Sequence, residues 1–256
     1  MPLRLRQICL AVPQLHAAEE AIRAVFGLEV CHRDANIGKY GLENALFVFG
    51  HQFVELVAPT RNDTAAGRFI ERTGGRGGYM AIFDTQDPER RRTLAESLGV
   101  RVANVMDYPG QFFGVQLHPR DCRATMLEFD RSVGNEQLDG AYWPAGVHWL
   151  DQQDLSRVSG IHWIDVTSPD PAGLAAHWGR IADVPLGRDG DHPALKFDLG
   201  AARFMQGDAE RLDALHVDVG DVGAVRRAAA EHGCPTDSDG FVLGGVRFVP
   251  HLGASA

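Results

Sequence analysis

One pattern of apolar and polar positions recurs four times along this chain. A short apolar run leads through a turn carrying Pro or Asp into about eleven residues with apolar positions three and four apart, and a Gly or Asp then precedes a second apolar run. The repeats start near Leu3, Gly77, Gly160 and Leu212. In the first, LRQICLAV passes Pro13 into LHAAEEAIRAVF and stops at Gly27; in the second, GYMAIFD passes Asp87 and Pro88 into ERRRTLAESL and stops at Gly99. The third runs from IHWIDVT through SPDP into AGLAAHWGRIA and Asp183, the fourth from ALHVDV through Asp221 into VGAVRRAAAEH and Gly233. Each repeat therefore predicts a strand, a helix and two or three further short strands. Ala18, Ile22 and Val25 show the helical stripe, which needs a sheet to bury it.

A β-α-β-β-β unit is a curved sheet with one helix outside, and its open edge is closed by pairing with a second copy. The expected fold is α+β, with four βαβββ modules forming two tandem half-open barrels, each with a concave side suited to a small ligand. The boundaries fall at 1–130 for the first pair of modules and 157–256 for a second, degenerate pair. Between them, 131–156 breaks the pattern and reads as a strap whose Tyr142, Trp143, His148 and Trp149 serve as anchors. Counting back 20 positions from Gly27, Gly99 and Asp183 lands on Gln7, Tyr79 and Trp163, which makes these equivalent positions of the first strands. In the fourth repeat the same count gives Asp213 or Ala214.

Composition narrows the partners. With 256 residues, 45% of them hydrophobic and 23% charged, the chain can bury a core and is too apolar for disorder. Lys and Arg number 25 against 34 Asp and Glu, a net charge of -9, which is the wrong sign for a protein that neutralises phosphates, so no nucleic acid is expected. No apolar stretch approaches the ~20 residues of a membrane span, and the N-terminus lacks a secretory pattern, so the expectation is a cytoplasmic protein without a membrane partner. Cys9, Cys31, Cys122 and Cys234 are scattered and form neither a zinc pattern nor a disulfide framework. Free sheet edges leave a homodimer open.

The ordered repeats, with YGLENALFVFG and QFVELVAP as their most specific stretch, resemble the vicinal oxygen chelate superfamily of glyoxalases, bleomycin-resistance proteins and extradiol dioxygenases. The resemblance covers about 3 to 130 well and 158 to 251 more weakly. It implies a barrel in which first and last strands of paired modules hold a divalent metal, often through His and Glu. Carried over, the first-strand positions are Gln7 and Tyr79 and the last-strand positions Glu55 and Glu128, with Trp163 equivalent in the second half. Where the family often has His this chain has Gln7, and the closing runs AARFMQ and GVRFVP contain no acid. Oxygen-only ligands Glu55, Glu128 and Gln7 suit Mg²⁺ or Mn²⁺; no cofactor at all is the alternative. The implied activity is that of a metal-assisted lyase, isomerase or dioxygenase-like enzyme on a small oxygenated or aromatic metabolite.

In the residues themselves, Glu55 lies in the apolar run FVELV, where burial without a partner is costly, and Glu128 lies in MLEFD, where Asp130 shares its face and can make that face wet. Glu55, Glu128 and Tyr79 are the catalytic candidates. Gln7, His51, Phe53 and Trp163 are the substrate-binding candidates, His51 sharing a strand face with Phe53 and Glu55. By the same alternation His162 turns toward the helix layer, and His118 and His216 read as structural. The glycines at 74, 75, 77 and 78 precede a strand, so they join units and cradle no phosphate. The rival reading is a metal-free protein that sequesters a planar compound between aromatic walls; a scaffold role for the second half is a third.

Overall fold

A computed structural model describes residues 2–253. Its first module comprises β1 (Leu3–Ala11), α1 (Leu15–Phe26), β2 (Val30–His32), β3 (Leu42–Phe49) and β4 (Gln52–Pro59), followed by α2 (Ala65–Thr73). The second comprises β5 (Met80–Thr85), α3 (Pro88–Ser97), β6 (Val102–Tyr108), β7 (Phe112–Leu117), the short α4 (Pro119–Cys122) and β8 (Met126–Ser132). The third comprises β9 (Val158–Ser168), α5 (Pro171–Ala182), β10 (Gly187–Asp189), β11 (His192–Lys196) and β12 (Ala201–Gln206). The fourth has β13 (Arg211–Val219), α6 (Val222–Glu231), β14 (Phe241–Leu243) and β15 (Val246–Leu252), and a bridge between Thr236 and Phe241 stands where its first returning strand would be.

The fold is the α+β arrangement of four βαβββ modules in two tandem half-open barrels. One sheet runs β2-β3-β4-β1-β5-β8-β7-β6 and the other β10-β11-β12-β9-β13-β15-β14. The helices begin where the sequence places turn residues: Asp87, Asp170 and Asp221 each accept a hydrogen bond from a backbone N–H three residues on, at 2.9, 2.9 and 2.8 Å. They end at left-handed residues such as Gly27, with φ 65°, and Asp183, with φ 50°. Helix α2 was not foreseen, and Gly74 closes it while the Gly77 N–H donates to Gly245 O at 2.8 Å. The glycine cluster is thus a helix stop and a tie rather than a slack joiner.

Contacts divide the chain into two compact units. The first contains the chain up to Gln7, Met80–Trp143 and Trp163–Asp213, hence modules two and three. Its core stacks Phe83 on Phe129, ring centroids 5.5 Å apart, and sets Phe197 edge-on to Phe83 at 4.9 Å. Arg91 donates to Ala182 O, and the Trp178 indole donates to Cys122 O at 2.8 Å, so both modules close on shared backbone carbonyls. The second unit contains Ile8–Tyr79, Pro144–His162 and the chain from Ala214, hence modules one and four. Phe26 of α1 meets Phe49 at 5.1 Å and Phe248 at 5.5 Å. There the buried Gln52 carboxamide accepts from Ile161 N–H at 2.7 Å and donates to Ile161 O at 3.0 Å, replacing a rung of the sheet. Gln52→Ala leaves both backbone groups without that partner, and denaturant unfolding should show a loss of about 1 to 3 kcal/mol.

Candidate functional site

In the first unit, strand register builds one polar face. Glu128 and Asp130 are two residues apart on β8, so both point to the same side. Their neighbours on β5 are Ile82 and Asp84, and on β7 Gln116 and Gly114. On β6, Asn104 lies opposite Gln116 and Met106 opposite Gly114. The face thus carries a row of Asn104, Gln116 and Glu128, and beside it a row of Met106, Gly114, Asp130 and Asp84. The third row is aromatic: Tyr108 lies opposite Phe112, and Trp143 of the strap stacks on them at 4.8 and 5.0 Å.

The carboxylates sit among cations and dipoles. Asp84 pairs with Arg4 at 3.2 Å and accepts from Asn135. Arg4 also donates to the carbonyls of Asn135 and Glu136 at 2.8 Å, and Arg6 to that of Leu138 at 2.6 Å, which pins the strap. The Arg6 guanidinium lies 5.3 Å from the Tyr142 ring centroid, and the Tyr142 hydroxyl donates to Gln7 Oε1 at 3.0 Å. Tyr142 and Trp143 are therefore anchors, as the sequence suggests. Asp130 is fully buried, not wet. Burial raises its pKa well above the ordinary carboxylate value, the charges of Glu128 and Asp84 push the same way, and Arg6 and the Tyr142 hydroxyl oppose them. Burial likewise raises Asp84, against Arg6 and Arg4.

Glu128 accepts from Gln116 Nε2 at 2.9 Å, and Gln116 Oε1 accepts from Asn104 Nδ2 at 3.3 Å. Trp163, also in this unit, is half-buried under the guanidinium of Arg203, 5.0 Å from its centroid, and Arg203 is held by Asp165 at 2.8 and 3.0 Å.

The remaining predicted residues belong to the second unit. Glu55 lies opposite Leu46 and accepts from Asn44 Nδ2 at 2.7 Å, so this buried carboxylate has a dedicated amide. Tyr79 packs edge-on to Phe69 at 5.1 Å; burial raises its phenol pKa, and Cys9 and Glu55 add to the rise while Arg68 and Arg72 oppose it. Phe53 is fully buried, edge-on to Trp149 at 5.2 Å, and His51 approaches the same indole at 6.5 Å.

Sequence reasoning missed a group of histidines in the second unit. His216 Nδ1 and His251 Nε2 are 2.8 Å apart, their rings stacked at 5.1 Å. His162 is exposed and paired with Asp218 at 3.3 Å, instead of turned into the helix layer. The pairing of β13 with β15 sets Asp218 opposite His251; no short motif signals that register.

Comparison with known proteins now has a geometry to meet. The family model described as a glyoxalase-like domain matches residues 8–182. The chain belongs to the glyoxalase-like domain family. A hypothetical protein from Staphylococcus aureus shares the fold of this glyoxalase-like protein, with 15% identity, a TM-score of 0.66, and 97% of this chain and 100% of that one covered. A Mn(II)-bound glyoxalase from Novosphingobium aromaticivorans is similar at 17% identity and TM-score 0.65, over 97% of this chain and 82% of that one. A Streptomyces coelicolor methylmalonyl-CoA epimerase, in complex with 2-nitronate-propionyl-CoA, shows 27% identity and a TM-score of 0.46 over 52% of this chain and 99% of that one. No curated protein matches the sequence. Among the described residues no helix is long and apolar enough to cross a membrane.

The family raises the question of a metal. The oxygen donors named from sequence divide, Gln7 and Glu128 in one unit and Glu55 and Tyr79 in the other. Each glutamate already accepts from an amide, and in the first unit the charges are compensated by Arg4 and Arg6. Among the described residues no three His, Cys, Asp or Glu side chains gather to hold an ion; the His216–His251 pair contributes two nitrogens. This donor set does not fit a resident Mg²⁺ or Mn²⁺, and no chemical step below runs through one.

Proposed function

We propose that this glyoxalase-like protein is a lyase- or isomerase-type enzyme that moves a proton on a small oxygenated or aromatic metabolite, with Glu128 accepting it. The supporting observation is the pairing on β8: Asp130 is fully buried two residues from Glu128, with its pKa raised by that burial, while Glu128 accepts a hydrogen bond from the Gln116 amide. Two neighbouring carboxyl groups in unlike surroundings can divide the roles of acid and base on one face. Gln7 orients the substrate in this reading, Glu128 and Asp130 exchange the proton, and Glu55 and Tyr79 form a corresponding carboxylate and phenol in the second unit.

The test is proton exchange. The protein is incubated in deuterated buffer with a panel of 2-oxo acids, thioesters and aromatic ketones, and loss of the carbon-bound hydrogen is followed by NMR. The wild type should exchange one class of compound, and Glu128→Gln should slow that exchange by about a hundredfold or more while still binding it. A wild type that binds aromatics and exchanges none supports sequestration and overturns the enzyme reading. Metal analysis runs alongside: stoichiometric Mg or Mn, lost in a Glu55→Ala, Glu128→Ala double variant, would restore the metal-assisted form.

A further inference from the structure

We infer that β6 is the interface through which two copies of this chain pair, edge against edge and antiparallel. The inference is independent of the proton-transfer reading. β6 is the last strand of its sheet, with β7 on one side and no strand on the other among the described residues. An open edge offers a row of backbone donors and acceptors to any strand that reaches it, and proteins ordinarily keep such edges short, charged or covered. The other three sheet ends follow that practice: β2, β10 and β14 are three residues long, β10 carries Arg188 and Asp189, and Thr236 bridges to Phe241 at the start of β14. β6 runs for seven residues without Pro or Lys, and Val105 at its middle is 38% exposed.

The strand is complementary to itself. Exposure alternates along it, so Arg101, Ala103, Val105 and Asp107 share the open face, even across the register shift against β7 between Val102 and Asn104. Run antiparallel against a second copy, that series sets Asp107 against Arg101 and Val105 against Ala103, so charged and apolar side chains both find their match. Asp121 holds the Arg101 guanidinium at 2.7 and 2.8 Å, which orders the basic end. A cleft of about 810 Å³, lined by Arg92 and Glu96 of α3 and by the chain from Gly99 to Val105, leaves room beside the strand where a helix would otherwise cover it. A patch that matches itself is what a two-fold pair requires, because both copies present the same surface; a foreign strand is under no such constraint. In this register Asn104 meets its own counterpart, and the axis stands perpendicular to the sheet. The faces carrying Asn104, Gln116 and Glu128 in the two copies therefore lie on the same side and join into one.

The experiment is sedimentation equilibrium of the intact protein from about 1 to 100 μM. At the upper end the mass should be twice the 27.9 kDa of one chain. Val105→Lys sets two like charges close to the axis and should weaken the pair by about tenfold or more. Asp107→Lys, which meets Arg101 of the other copy, should weaken it as well. Both positions are exposed, so the fold should survive; circular dichroism and thermal melting identify a variant that has failed to fold, and the other then carries the test. The place of contact is read separately. Val105→Cys should be joined into a covalent dimer by a short bifunctional maleimide far faster than the wild type, whose Cys9 and Cys122 are buried and whose Cys31 and Cys234 are half-buried. A chain that stays monomeric over this range overturns the inference and leaves the edge to a strand of another protein. A dimer that neither lysine variant weakens also overturns it, by placing the contact elsewhere.

Discussion

Arg6→Met should destabilise the protein by about 3 to 5 kcal/mol at pH 7, and a large part of that loss should disappear near pH 4. Arg6 is 2% exposed, and its cation is surrounded by Asp84, Asp130 and Tyr142. Burial lowers the Arg6 pKa, and those partners pull it back. Methionine fills the volume of the aliphatic stem but leaves the acids without their main buried counter-charge. It also removes the donor to Leu138 O, so the strap loses one of its ties. The acid recovery follows from linkage. Losing a cation raises the folded-state pKa values of Asp84 and Asp130 further above the unfolded value of about 3.9. The added penalty is felt only above the already raised folded-state values of wild type, where its Asp84 and Asp130 ionise, and vanishes below them, where both folded proteins carry the protons. Urea unfolding at pH 7 and pH 4 measures both numbers. Equal penalties at the two pH values would mean that Arg6 serves packing and the strap, not charge compensation.

Much of this architecture was legible because helices and turns are written locally. Pro88 and Pro171 after Asp87 and Asp170, and the left-handed stops at Gly27 and Asp183, mark helix ends whatever the sheet does. The candidate carboxylates were legible too, since an acid inside FVELV or MLEFD demands a partner. The partners themselves were not. Asn44, Gln116 and Arg6 reach Glu55, Glu128 and Asp130 through strand pairing, and register is a property of two segments at once. The same limit hid the histidines, because His216 and His251 meet only through the parallel pairing of β13 with β15. Alternation alone also misjudged Asp130: it assigns a face, and whether that face is wet depended on the strap that Arg4, Arg6 and Tyr142 hold over it.

Asp130→Asn should make the protein more stable than wild type at pH 7, with a margin that shrinks to nothing toward pH 3. The folded-state pKa of Asp130 is raised, so between about pH 4 and that raised value the folded chain holds a proton that the unfolded chain has released. Wild-type stability therefore falls as pH rises through this window, at up to about 1.4 kcal/mol per pH unit for this one group. Asparagine has nearly the same shape, provides a donor in place of the acid O–H, and does not titrate. The variant's stability curve should run flatter than wild type by that slope, apart from the contribution of Asp84, which is raised for the same reason. The gain at neutral pH should come with a loss: if Asp130 returns the proton that Glu128 takes, Asp130→Asn binds substrate and exchanges its hydrogen more slowly. Parallel stability curves for the two proteins from pH 4 to pH 8 would show that Asp130 is ionised in the folded state, and the acid–base division on β8 would fall with it.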